Sequence, residues 1–200
     1  MASEQRTTLL VQYFRATALL AIPPLRERMA IISLITWFHW QRPLMRGDPL
    51  LVGEDRLSRF DLISGNNERF CDFEADNPIT RSNDARTDRY GSLWLSSMGK
   101  AAEKGAGSLY RLHRGKLTRL RSGLTIPNAL CFSANGKFAW FTDTVTGVMM
   151  RWALDNDGRP KGGPTPWADF SSTPGNPDGA VVDSEGCLWL ASGVRVKWYA

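Results

Sequence analysis

From about Leu50 onward, short apolar runs alternate with turn residues. Leu50-Leu51-Val52 and Leu57 to Leu62 flank Gly53-Glu54-Asp55-Arg56, and Ser64-Gly65-Asn66-Asn67 turns the chain again. Runs of this length bounded by Gly, Asn and Asp predict β-strands, because the turn residues supply the bend and the apolar run supplies a buried pleated face. Before Leu50 this punctuation is absent. Residues 1–49 carry apolar clusters (Leu9 to Phe14, Ala18 to Ile22, Ala30 to Phe38) with Pro23-Pro24 and scattered arginines. Their mixed periodicity predicts a short helix around 5–21 and a further apolar segment around 29–40. The chain thus divides into an irregular N-terminal segment, 1–49, and a strand-rich domain, 50–200.

The strand-rich part repeats. Arg89-Tyr90-Gly91-Ser92-Leu93-Trp94-Leu95 matches Ala134-Asn135-Gly136-Lys137-Phe138-Ala139-Trp140, and both match Ser184-Glu185-Gly186-Cys187-Leu188-Trp189-Leu190. The three glycines fall 45 and 50 residues apart. Each such strand is followed by one carrying a basic residue: Ser108 to Leu112, Val148 to Trp152 and Val194 to Trp198, with Leu57-Ser58-Arg59-Phe60 as an earlier copy. A repeat of this length built of short strands and turns predicts a β-propeller, whose blades bury their faces against one another. Residues 50–200 hold three to four repeats at that spacing. The expected fold is therefore all-β, an incomplete propeller of about four blades.

Composition narrows the functions. At 42% hydrophobic and 22% charged, the chain is an ordinary globular sequence, which excludes disordered and fibrous classes. The net charge is +5, but residues 1–49 hold six arginines against three acids and supply three of those charges. The remainder is nearly balanced, so no nucleic-acid surface is expected on the folded body. No apolar run is long enough to span a bilayer, Met29 to Phe38 being about half the needed length. Residues 8–22 faintly resemble the core of a secretion signal, but Arg15 and Glu4 disqualify them. Cys71, Cys131 and Cys187 lack the close spacing of a zinc knuckle or redox motif. Cys131 and Cys187 sit in apolar strand patterns as small core residues, which suits a reducing, cytoplasmic location. With only His39 and His113, a His-based metal site or a Ser-His-Asp triad is not expected.

Candidate chemistry comes from polar residues at one phase of the repeat. Asn83, Asn128 and Asp178 each lie eight residues before a repeat glycine. Each stands alone as an ordinary turn residue. Together, at the start of successive inner strands, they aim at one axis, and their oxygens are hard donors suited to Ca²⁺, Mg²⁺ or Mn²⁺. Arg81 lies two residues from Asn83.

The segments RSNDARTDRYGSLW (81–94), SSMGKAAEKGAGSLYRL (96–112), IPNALCFSANGKFAWFTDT (126–144) and NPDGAVVDSEGCLWLA (176–191) resemble the SMP-30/regucalcin–gluconolactonase family, from about Leu50 to Leu190. The resemblance implies a six-bladed propeller that hydrolyses sugar lactones to aldonic acids with one divalent metal, Ca²⁺ or Zn²⁺, with Mn²⁺ and Mg²⁺ as further candidates. It implies that Asn128 and Asp178 are metal ligands, that Asp178 is also the general base, and that Arg81 and Asn83 bind substrate. The implied partner is a small sugar lactone, not nucleic acid or membrane.

Departures from the family pattern qualify that expectation. A glutamate in a Gly-Glu-Gly/Ser-Pro motif is a further family ligand, and no such motif occurs in residues 1–60. Asn-Gly after the metal asparagine is Asn128-Ala129 here, and Ala101 stands where some relatives have a substrate-binding glutamate, with Glu103 two residues on. The alternative is an inactive propeller fragment, at most a weak metal-binding or interaction scaffold. Open blade edges would invite self-association. A damaged or frameshifted gene, with residues 1–49 not descended from a blade, would account for the missing ligand and the early stop.

Overall fold

The computed structural model describes residues 33–34, 50–61 and 64–192. Every regular element among them is a β-strand. No helix among the described residues is long and apolar enough to cross a membrane. The expected helix around 5–21 and the strand Val194 to Trp198 lie outside the described residues. Of the segment around 29–40, only Ser33–Leu34 is described.

Each sheet is an antiparallel meander in chain order. The first contains β1 (Ser33–Leu34), β2 (Leu50–Val52), β3 (Arg56–Phe60) and β4 (Asn67–Asp72). The second contains β5 (Thr80–Thr87), β6 (Leu93–Gly99), β7 (Gly107–His113) and β8 (Lys116–Leu124). The third contains β9 (Pro127–Phe132), β10 (Phe138–Asp143), β11 (Val148–Ala153) and β12 (Thr165–Asp169). The fourth contains β13 (Pro177–Val182) and β14 (Leu188–Ser192). The first strands meet in succession, β1 on β5, β5 on β9 and β9 on β13. Meanders joined side by side through their first strands are blades around a common axis, so the expected all-β, incomplete propeller is the fold observed.

The repeat seen in the sequence now has a physical basis. Gly91, Gly136 and Gly186 close the turns between first and second strands, each donating its N–H to the carbonyl three residues back, on Asp88, Ser133 and Asp183. All three have φ between +71 and +89°, which only glycine adopts cheaply. The aromatic residues after them lie on β6, β10 and β14, while the basic-bearing runs are β3, β7 and β11, the third strands of their sheets.

In two of these turns an aspartate locks the bend to the strand. Asp88 accepts the N–H groups of Tyr90 and Ser92 on Oδ1 and the Trp94 indole N–H on Oδ2 at 3.0 Å. Asp183 does the same with Glu185, Cys187 and the Trp189 indole at 2.7 Å. Blade 3 has Ser133 at this phase and its tryptophan one place later. The Trp140 indole nitrogen is accordingly buried with no hydrogen bond among the described residues.

The core sits between blades rather than within them. Leu93 and Leu95 of β6 pack toward blade 1 with Val52, Leu57 and Phe73. Trp94, on the opposite face of β6, packs toward blade 3 with Leu130, Phe141 and Trp152. Alternation along one strand thus feeds two cores, and every residue of β6 is buried. A third cluster, Ala129, Cys131, Trp140, Met149 and Leu190, joins blades 3 and 4.

Candidate functional site

Three inner strands, β5, β9 and β13, carry the site, and each of these three is bulged. In β5, Ser82 pairs with Ser97 and Ala85 with Leu95, so Asn83 and Asp84 together oppose Ser96. In β9, Asn128 pairs with Thr142 and Cys131 with Trp140, so Ala129 and Leu130 oppose Phe141. In β13, Pro177 pairs with Ser192 and Ala180 with Leu190, so Asp178 and Gly179 oppose Ala191. A bulge bends its strand and re-aims the side chains beside it. The bulges include Asn83 in β5 and Asp178 in β13 and directly follow Asn128 in β9, and all three side chains bond to or across a neighbouring blade.

The four residues singled out from the sequence are linked by a chain of contacts. Asn128 donates from Nδ2 to Asp178 Oδ1 at 2.7 Å and approaches Thr144 Oγ1 at 3.4 Å. Its Oδ1 accepts the N–H of Ala129 at 3.2 Å. Thr144 in turn donates to the carbonyl of Pro177 at 2.8 Å, tying the end of β10 to the strand that bears Asp178. Asn83 donates from Nδ2 to the Pro127 carbonyl at 3.1 Å, immediately before Asn128. Arg81 donates to the Ser82 carbonyl at 2.8 Å and lies 3.5 Å from Asn83 Oδ1. Asn128 is buried, whereas Arg81, Asn83 and Asp178 are half-buried.

Two further residues belong to this network. Thr144 is one. The other is Asp84, a half-buried residue whose carboxyl is hemmed in by protein and whose Oδ2 accepts the Leu130 N–H at 2.8 Å. Burial pushes the Asp84 carboxyl up to about 6, against the opposing pull of the Leu130 and Ala85 N–H groups and Arg86, and with a smaller upward push from Asp178. Its repeat equivalents are Ala129 and Gly179, so a search for polar residues in phase passes over it. The signal that would have found it is the bulge, which no local sequence pattern announces.

Ala129 has φ +58°, the left-handed region in which glycine is the usual residue, and is fully buried. The glycine-to-alanine departure after Asn128 therefore falls where the backbone needs glycine's freedom. Glu103 is turned to its own loop, its Oε2 accepting the Ala101 N–H at 3.0 Å, and no hydrogen bond joins it to the four residues.

The donor set is one of hard oxygens: the Asp178 carboxylate and, once its amide turns, Asn128 Oδ1. Among the described residues no three His, Cys, Asp or Glu side chains gather as a metal cluster. Two such donors fit a cation that keeps much of its water shell rather than an all-protein cage.

Successive meanders packed through their inner strands, with a polar network along those strands, define a propeller. Residues 40–200 match the family model described as SMP-30/Gluconolactonase/LRE-like region, and the chain belongs to that family. A protein of Rhizobium meliloti (strain 1021), provisionally named a sugar lactone lactonase, is 42% identical over 148 residues, covering 72% of this chain and 50% of its own. The L-arabinolactonase of Azospirillum brasilense is 34% identical over 187 residues, covering 88% of this chain and 57% of its own. Among solved structures, the calcium-binding protein regucalcin of Agrobacterium tumefaciens strain C58 is 34% identical with a TM-score of 0.73, over 78% of this chain and 57% of that one. The chain spans about half the length of these curated relatives.

Proposed function

We propose that this chain takes part in the divalent-metal-dependent hydrolysis of a sugar lactone to its aldonic acid. The observation that carries this is the 2.7 Å contact between Asn128 and Asp178 on adjacent inner strands, with Asn83 and Arg81 next along the same network. The names of the relatives support the substrate class. Asn128 and Asp178 would hold the cation, which when bound supplies Lewis acidity at the lactone carbonyl.

The remaining steps belong to the chain's own residues. Asp178, through the oxygen not held by Asn128, takes a proton from water as the water oxygen attacks the carbonyl carbon. Arg81, whose guanidinium is held by the Ser82 carbonyl, would stabilise the oxygen that becomes negative, more in the transition state than in the ground state. The C–O bond to the ring oxygen then breaks, and that oxygen recovers the proton. Asn83 orients the sugar hydroxyls.

The test is acid release from gluconolactone and L-arabinonolactone by the purified chain with Ca²⁺, Zn²⁺, Mn²⁺ or Mg²⁺, beside Asp178→Asn. We expect metal-dependent turnover and a loss of at least about 100-fold in the variant, as for removal of a general base. No turnover with any of the four metals, in a sample with β-sheet circular dichroism, overturns the proposal. Calorimetric metal binding without turnover would instead establish the scaffold alternative.

A further inference from the structure

We propose that Asp84 is a positioning residue for the Asn128–Asp178 pair, holding the inner strand of blade 3 in the bulged form that aims Asn128 across the blade interface. This rests on the lactonase reading for its catalytic consequence but not for its structural one.

Asp84 belongs to blade 2, yet its Oδ2 bonds to blade 3, accepting the Leu130 N–H at 2.8 Å from 46 residues away. The β9 bulge sets Ala129 and Leu130 against Phe141 alone, which takes a backbone group out of the ladder. A buried N–H without an acceptor is costly, and Asp84 supplies the acceptor for Leu130. Between Leu130 and Asn128 lies Ala129 at φ +58°. An L-residue there is disfavoured, so the bend persists only if both ends are held. The Asn128 Oδ1 contact holds the Ala129 N–H on one side, and Asp84 holds Leu130 on the other.

The main chain of Asp84 is fixed as firmly. Its N–H donates to Ser96 Oγ at 2.9 Å, and that hydroxyl lies within hydrogen-bond distance of both the Asp84 and Pro127 carbonyls. The Pro127 carbonyl also receives Asn83. Asp84 and Ser96 therefore brace β9 at Pro127 and at Leu130, on either side of Asn128. An acid is expensive to surround with protein, and the equivalent places in blades 3 and 4 do without one, as Ala129 and Gly179. Asp84 acts through the Leu130 N–H, so it is a positioning residue rather than a catalytic one.

The experiment uses the whole chain. In the wild type, a through-hydrogen-bond scalar coupling between the Leu130 amide nitrogen and the Asp84 carboxyl carbon is expected in NMR spectra; its absence overturns the proposal whether or not any variant folds. In Asp84→Ala, the Asn128 side-chain amide resonances, shifted by their bond to Asp178, should move toward solvent-exposed positions, while Asp84→Asn, whose amide oxygen still accepts, should leave them near wild type. Unchanged Asn128 resonances in Asp84→Ala overturn the proposal, even if the chain binds no metal and the lactonase reading has failed. With Mn²⁺ as probe, Asp84→Ala should weaken binding about tenfold, the scale of lost ligand orientation, and should do so less than twofold in an Asn128→Ala background. Equal weakening in both backgrounds would mean that Asp84 acts by another route and would overturn it.

Discussion

At the residue scale, Ala129 is the clearest compromise in the site. Its left-handed backbone costs about 1–2 kcal/mol for an L-residue, and its methyl is fully buried. Replacing it with glycine relieves the strain but removes about 0.8 kcal/mol of methyl burial and about 0.4–1 kcal/mol of unfolded-state restriction. These terms nearly cancel. We therefore expect Ala129→Gly to change stability by less than about 0.5 kcal/mol. Ala139 is equally buried but lies in regular strand β10 with no positive φ. There Ala139→Gly has only the losses, and we expect about 1–2 kcal/mol of destabilisation. Urea unfolding of both variants measures the contrast; equal losses would mean that Ala129 is not strained.

At the element scale, the turn-to-strand clamps rank the hairpins. Asp88 and Trp94 are both buried, and Arg111, also buried, lies 3.8 Å from Asp88. Asp88→Ala leaves an indole N–H and a guanidinium without their acid, so we expect about 3 kcal/mol or more. Asp183 and Trp189 are half-buried, and water can replace the lost acceptor. There we expect about 1 kcal/mol. Thermal or urea unfolding distinguishes the two, and the reverse order would contradict the clamp. The glycine and tryptophan of this motif were legible in the sequence, because glycine's φ and the strand's burial both leave a mark at fixed spacing. The aspartate that joins them was not, since two of its three partners are backbone N–H groups, which nearly any residue provides. In the same way, Asn83, Asn128 and Asp178 could be placed on one phase from spacing alone. Their bulges, and with them Asp84 and Thr144, depend on strand pairing that only the folded chain shows.

At the scale of the whole molecule, adjacent blades are tied by half-buried acids of opposite pH behaviour. Glu74, between β4 and β5, accepts hydrogen bonds from Ser97 at 2.7 Å and Tyr110 at 2.5 Å, and so joins blade 1 to blade 2. Burial would raise its carboxyl, but hydrogen bonds from Tyr110, Ser97, Asn77 and Thr80 outweigh it and hold it below the usual range. Its contribution is therefore complete above an unfolded value near 4.5 and is lost as pH falls through the lower folded value. Asp84 has the opposite sign. Its folded value is raised from 3.8 to about 6, so ionising it costs stability as pH rises across that window. We expect the stability gap between wild type and Glu74→Gln, read from unfolding midpoints, to be widest at neutral pH and to narrow below about 4.5. A gap that does not change with pH would show that Glu74 ties the blades without its charge. The overall fold was the most legible level, since blade repeats recur by sequence spacing. The candidate metal donors were the least, since Asn128 and Asp178 come from different blades.

The meander order has a consequence for how the molecule is made. Each sheet is drawn from one unbroken stretch, β5 to β8 from Thr80–Leu124 and β9 to β12 from Pro127–Asp169. A chain emerging from the ribosome can therefore finish one sheet before the next has been translated. The ties between inner strands cannot form so early, for Asn83 waits for Pro127 and Asn128 waits for Asp178, fifty residues later. The order of synthesis is then the order of assembly, and the polar network is completed from its Arg81–Asn83 end toward Asp178.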